Sequence, residues 1–241
     1  MTASRAPLTR DGLRVKIIVQ RVRLAGAEYR VIRPAGPLKN GALYQAGHPY
    51  DLLVDRTDGR RIGTLMLLAA RSPRSLIHLP MRATAPEPWF GRGDEQPLDL
   101  VLVHRAVQLR PSRWKRLRER IAAGSAPREL RTARLPETDL RDGSEGDGAA
   151  PAARFASQGT DRLRRHLHAE TLLLTGSTAA FRTAARQVFA VTKDGPPAAA
   201  SSLYINGGCN YHVCRSLDDW RDLGPRDGEP FHVEYAPSWT R

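Results

Sequence analysis

The sequence predicts an α/β fold. Residues 13–24, LRVKIIVQRVRL, alternate apolar and basic side chains at the period of a strand. Beyond residue 160, helix-like and strand-like runs follow one another, the order expected of a mixed sheet with helical crossovers. Between these regions lies one amphipathic basic helix. On this reading the chain divides into a β-rich module over 1–124, a linker or long loop over 125–159 and an α/β domain over 160–241.

The elements follow in order. Ala27 to Ile32 continues the first strand as a hairpin. Leu52–Arg56 and Arg61–Leu68 flank Asp58-Gly59, a dipeptide that predicts a second hairpin because glycine tolerates positive φ in the turn. Leu76–Leu79 and Leu98–Leu109 read as further strands, with prolines from Pro37 to Pro97 in the loops between. Pro111 suits the first position of a helix in which Trp114, Leu117 and Ile121 share one face. Arg113, Lys115, Arg116, Arg118 and Arg120 cover much of the rest, and Gly124 is the stop. Such a helix serves either as a solvated cover for the sheet or as a phosphate-facing surface. Residues 125–159 lose periodicity and gain Pro, Gly, Ser and acid, the composition of a linker. The last third reads as a segment over Arg162–Leu174, a helix over Thr178–Phe189, a strand over Ser202–Asn206, a cysteine pair, a helix over Arg215–Leu223 and a strand over Phe231–Tyr235.

A formal net charge of +13 over 241 residues favours a polyanionic partner, nucleic acid above all. Lysine occurs only at positions 16, 39, 115 and 193, so arginine supplies nearly all of the basic charge. With abundant Ala, Gly and Pro, that bias also fits a GC-rich coding sequence. No stretch approaches the ~18 uninterrupted apolar residues of a membrane helix, so no membrane partner is expected. The first residues lack the apolar run of a secretory leader. The expectation is therefore cytoplasmic synthesis, with delivery to other cells by a leaderless route left open.

Chemistry concentrates on the two cysteines, Cys209 and Cys214, and on the upstream triplet His168-Ala169-Glu170. Two cysteines make at most one bridge, or they ligate a metal. An imidazole and two thiolates hold Zn²⁺ with one position open for water, and a nearby carboxylate moves protons. Zinc nucleobase deaminases carry H-x-E followed by P-C-x-x-C. Here the first half is intact, while four residues separate the cysteines and Gly208 replaces the proline. His168 and Glu170 stand about 200° apart on a regular helix. They reach one metal only if a helix begins at Leu167–His168, which the reading therefore predicts. The cysteine spacing likewise predicts a short loop over Asn210–Val213, with Cys214 opening a helix. If His212 fills the fourth zinc position, the site is closed and structural. If it points away, the site is open, with Tyr211, His212 and Asn206 at the substrate mouth.

From Ser202 onward the chain resembles the bacterial toxin deaminases related to the double-stranded-DNA cytosine deaminases, within the cytidine deaminase-like superfamily. LYINGGCNYHVC resembles their strand, glycine-containing turn and spaced cysteine pair. Arg215–Leu223, Gly-Pro and FHVEYAP resemble their short helix, loop and closing strand. The resemblance covers the C-terminal third and implies a cytidine deaminase-like mixed sheet with flanking helices there. It implies zinc on His168, Cys209 and Cys214, Glu170 as proton shuttle, and hydrolytic deamination of cytosine in nucleic acid, DNA before RNA. An antibacterial role with a cognate immunity protein goes with it. Arg162, Arg164, Arg165 and Arg215, with Arg182 and Arg186, would hold phosphates. The hairpin expected before the helix is not evident in 148–165, and Leu52–Leu68 is a candidate to supply it. Two other readings stand beside the enzyme: a non-catalytic nucleic-acid-binding protein with structural zinc, and a deaminase of free nucleosides or nucleotides.

Overall fold

The computed structural model describes residues 13–45, 50–85, 93, 95–124, 126–140, 161–201, 213–217, 231–237 and 239. Its first strands are β1 (Arg14–Leu24), β2 (Ala27–Pro34), β3 (Gly41–Gln45) and β4 (Tyr50–Val54). Helix α1 (Arg56–Arg71) leads to β5 (Ser75–Leu79) and β6 (Gln96–His104), then to α2 (Trp114–Ala122) and β7 (Glu129–Arg134). After them come β8 (Arg164–Leu167), β9 (Thr171–Gly176), α3 (Thr178–Ala199), β10 (Cys214–Ser216) and β11 (Phe231–Tyr235). The class is α/β, as the sequence predicts.

The strands form one 11-stranded mixed sheet in the order β10-β11-β4-β3-β6-β5-β2-β1-β7, with β9 and β8 branching from β6. β5 and β9 both pair with Leu100–Val103 of β6 and so occupy its opposite edges, while β3 takes Gln96–Leu98. Strands from the two ends of the sequence interleave, since β11 runs parallel to β4 and β9 parallel to β6. The segment over 125–159 therefore does not separate two sheets. It also contributes a strand of its own, β7, which pairs with Arg14–Val19 of β1. β1 is thus an interior strand, and β7 is the edge among the described residues.

Three layers result. α1 and α3 pack on each other and on one face, through Ile62, Leu65, Met66, Phe181, Ala185 and Val188 among others. α2 covers part of the opposite face with Trp114, Leu117 and Ile121 against Val22, Val31, Leu76, Val101 and Leu173. β1 records both coverings. Val15, Ile17 and Val19 are buried toward α1, whereas Gln20, Val22 and Leu24 are buried toward α2. The β1–β2 register is unbroken over that switch, so the cover changes side, not the strand. Ala25 and Gly26, both at positive φ, make the two-residue turn between them.

Two helix assignments need correction. Asp58-Gly59 sits in the first turn of α1, not in a hairpin, and Arg61–Leu68 is helical. Asp55 caps that helix by accepting the Asp58 amide at 2.6 Å. Glycine at 59 is required there by packing, because an added Cβ would lie 2.4 Å from Thr192 Cγ2 of α3. Residues Cys214–Ser216 form a strand against β11, not the start of a helix. No helix among the described residues is long and apolar enough to cross a membrane.

Candidate functional site

His168, Ala169 and Glu170 form the tip of the β8–β9 hairpin. The His168 amide donates to the Thr171 carbonyl at 2.9 Å and the Thr171 amide returns the bond at 3.1 Å. Ala169 and Glu170, at φ 49° and 56°, are the two central residues, the arrangement of a type I′ turn. No helix begins here. The apolar run Thr171–Gly176 pairs with β6 over its whole length, and β8 zips onto it, so long-range pairing fixes the hairpin. The helix start that would aim His168 and Glu170 at one metal is therefore absent.

Glu170 instead faces two cations. Its carboxylate is paired with Arg82 Nη1 and lies 4.0 Å from Arg118 Nη2. Arg118 Nη1 also donates to the Ala169 carbonyl at 2.8 Å and to Thr171 Oγ1 at 3.2 Å. Two non-glycine residues at positive φ are costly, and this clamp offsets that cost.

Cys209, Asn206, Tyr211 and His212 lie outside the described residues, as does most of the helix expected over 215–223. Cys214 is exposed at the start of β10, opposite Glu234. Among the described residues no three His, Cys, Asp or Glu side chains gather into a metal-holding group. Of the predicted phosphate contacts, Arg162 and Arg164 are exposed and Arg165 is half-buried beside them. Arg215 is held by Asp194 of α3 at 2.9 Å. Arg182 donates to the buried Asp139 at 3.0 Å; Asp139 also binds Arg71, tying the turn at Glu137–Leu140 to α1 and α3. Arg186 donates to Thr183 Oγ1. Arg182 and Arg215 are therefore structural ties in this fold.

Beneath α2 the structure assembles a polar row that the sequence reading did not single out. Gln20 of β1, Arg33 of β2, His78 of β5, Asp99 of β6 and Thr171 of β9 lie on the same face of neighbouring strands. Arg33 donates to Gln20 Oε1 at 2.6 Å. Asp99 Oδ1 accepts from the amides of Met81 and Arg82 at 2.9 and 3.1 Å. Its Oδ2 accepts from Arg82 Nε at 3.2 Å and lies 3.7 Å from Arg118 and 3.8 Å from His78 Nε2. At 3.8 Å the histidine contact is electrostatic, too long for a hydrogen bond. Burial alone would raise the Asp99 carboxyl, yet His78, the Arg82 amide and the Arg82 charge together hold it below its usual value. Burial drives the His78 imidazole down, against the pull of Asp99, and Arg33 and Arg118 push the same way. The available clue was an acid inside the otherwise apolar run LDLVLVH.

Where α2 no longer covers it, the same face carries positive charge. The registers place Arg14 beside Arg134, Lys16 beside Thr132, and Ile18 between Leu130 and Arg33. Arg14, Lys16, Arg128 and Arg134 are exposed. Burial and the neighbouring Arg128 both push the Arg33 guanidinium below its ordinary value. On the same side of the sheet, α2 turns Lys115, Arg116 and Arg120 to solvent, with Glu119 as the one acid in its run. A cleft of about 520 Å³ at the end of β1 is lined by Arg14, Lys16, Arg61, Gly36 and Leu130. Trp114 of α2 is fully buried, Arg118 reaches in to Asp99 and the β8–β9 turn, and Lys115, Arg116 and Arg120 face outward. Comparison with known protein families, with curated proteins and with solved structures finds no match.

Proposed function

We propose that the protein binds nucleic acid by its phosphates, through the face made of α2 and the β7–β1–β2 end of the sheet. The observation that carries this reading is the cationic surface just described, with Arg14, Lys16 and Arg134 on adjacent strands and no acid among them. Residues i and i+2 on a strand are about 6.8 Å apart on one face, a spacing suited to successive phosphates. Among the described residues of α2, β7, β1 and β2 no ring is exposed, Trp114 and Tyr29 being buried. That supports contact with the backbone over readout of base edges.

The test is fluorescence anisotropy of a labelled duplex titrated with protein at several salt concentrations. Affinity should fall steeply with salt, each neutralised phosphate adding about 0.9 to the slope of log K against log salt. Replacing Arg14, Lys16 and Arg134 together by Glu should weaken binding at low salt and reduce that slope by about 3, with circular dichroism unchanged. Salt-independent binding, or a triple variant that binds like the parent, would remove the reading.

Zinc-dependent deamination of cytosine, in nucleic acid or in free nucleosides, is the other proposal, and it rests on the Cys209–Cys214 pair and its resemblance. Among the described residues nothing adds to it, and Glu170 would have to leave Arg82 and Arg118 to act on a zinc-bound water. It requires stoichiometric zinc in the purified protein, lost on Cys209→Ser.

A further inference from the structure

We infer that the open edge of β7 pairs with β7 of a second copy, about a two-fold axis through Leu130. Among the described residues β7 is the last strand in the sheet order, with one edge unpaired. Its outward-facing backbone follows from two hydrogen bonds on β1. The Lys16 carbonyl accepts from Ala35, on the β2 side, at 2.9 Å, and the Leu13 carbonyl accepts from Leu135, on the β7 side, at 3.2 Å. Since backbone groups alternate along a strand, the odd residues of β1 address β7. Their partners in register are Glu129, Arg131 and Ala133. Leu130 and Thr132 of β7 therefore turn their N–H and C=O groups to the open edge, as does Arg128 if the strand is continued by one residue.

An antiparallel pair of identical strands about a two-fold axis must join residues of the same parity, so only a few registers exist. Centring on Leu130 sets Leu130 opposite its own copy and Arg128 opposite Thr132, all with outward backbone groups available to bond. It also sets Glu129 opposite Arg131 of the other copy, twice; within each copy Arg131 Nη2 already donates to Glu129 Oε1 at 2.5 Å, so the four side chains would alternate in sign in one cluster. Shifting the axis to Arg131 opposes two guanidinium groups, and shifting it to Thr132 sets Leu130 against Arg134. Charge thus favours the Leu130 register over the Arg131 one, and the cover of Leu130 by its own copy favours it over the Thr132 one. Leu130, 69% exposed, is covered in the favoured register by its own copy. Edge strands are commonly protected from pairing by charge; here the charges repel in one register and attract in another. The inference does not depend on nucleic-acid binding.

Five paired residues a side bury far less than the ~1,200 Å² of a standard interface, so the dimer is weak. Sedimentation equilibrium over a wide range of protein concentration, in salt sufficient to screen the net charge, should show a monomer–dimer equilibrium. Leu130→Pro should be monomeric throughout. The lost N–H faces outward, so the β1–β7 ladder is kept, and circular dichroism confirms the fold; Leu130→Lys serves if it does not. Glu129→Arg or Arg131→Glu alone should each raise the dimer Kd about tenfold, since the axis repeats every loss. The double swap Glu129→Arg with Arg131→Glu should restore it. A parent protein monomeric at every concentration, a dimer indifferent to both Leu130 variants, or a swap that fails to restore association overturns the inference.

Discussion

His78 sits at the centre of the polar row with a ring that burial keeps neutral. Neither ring nitrogen has a hydrogen-bond partner in the fold, and the ring stands edge-on to Trp114 at 5.0 Å. Its pKa in the fold lies below the ordinary 6.5, so near and below that pH the unfolded chain binds more protons at this position than the fold does. Stability from this residue is complete above pH 6.5 and is lost as pH falls through it. Asp99, also held low, contributes a loss of the same sign at more acidic pH. His104, lowered first by burial, adds to the upper window, so the test is a difference between proteins. His78→Phe keeps the ring contact and removes the proton. Its stability relative to the parent, from urea unfolding, should be level above pH 6.5 and rise as pH is lowered from there to 5. Parallel curves for the two proteins would show that His78 does not titrate on unfolding. The triplet at 168–170 gives the opposite lesson about legibility. Residue types alone suggested a metal ligand and a proton shuttle, whereas the positive φ angles and the arginine clamp depend on β6, β5 and α2, none of them near in sequence.

Among the elements, α1 is the clearest case of a local pattern overruled. Asp58-Gly59 satisfies hairpin chemistry, but the helix runs over 16 residues, twice the length of the strand expected at Arg61–Leu68, and Asp55 supplies an N-cap. Gly59 and Gly63, one helical turn apart, let α1 approach α3 closely. A Cβ at 59 would meet Thr192 Cγ2 at 2.4 Å and Val54 Cγ2 at 3.0 Å; one at 63 would meet the ring edge of Phe189 at 2.8 Å. Alanine gains about 1 kcal/mol over glycine in helix propensity, which works against the overlap. Thr192 is stiff because its methyl is on a branched Cβ next to the backbone, while the Phe189 ring tip can swing aside. Gly59→Ala should therefore destabilise by about 1–3 kcal/mol in urea unfolding, and Gly63→Ala by less. The reverse ranking would mean that the two helices are held apart by something other than these side chains. β1, β2, β5, β11 and the start of α3 were legible because each carries its own period or apolar run. β7 was not, since its residues ELRTAR are almost entirely exposed and take their conformation from β1.

At the scale of the whole molecule, the order of strands in space departs from their order in the chain. A division at 125–159 follows composition, but composition says nothing about which strand lies beside which. The first half pairs β4 with β3, and β6 with β3 and β5, but their remaining edges are filled only by β11 and β9 from the second. α3, from the second half, packs along α1, from the first, and Gly195 of α3 lies against the Tyr235 ring of β11. Removing residues 125–241 would leave both β4 and β6 with an open edge and would strip α1 of α3, whose Phe181, Ala185 and Val188 share one buried cluster with Ile62, Leu65 and Met66. Exposing such side chains costs about 1.5–3 kcal/mol each, comparable in sum with the entire stability of a typical domain. The two halves should accordingly fold as one cooperative unit. Urea unfolding followed by tryptophan fluorescence and by far-ultraviolet circular dichroism should give coincident transitions, and residues 1–124 expressed alone should lack a cooperative transition. A fragment that unfolds sharply and independently would show that the apolar face of α1 can find cover without α3, and the shared sheet would then be an assembly of two separately stable parts.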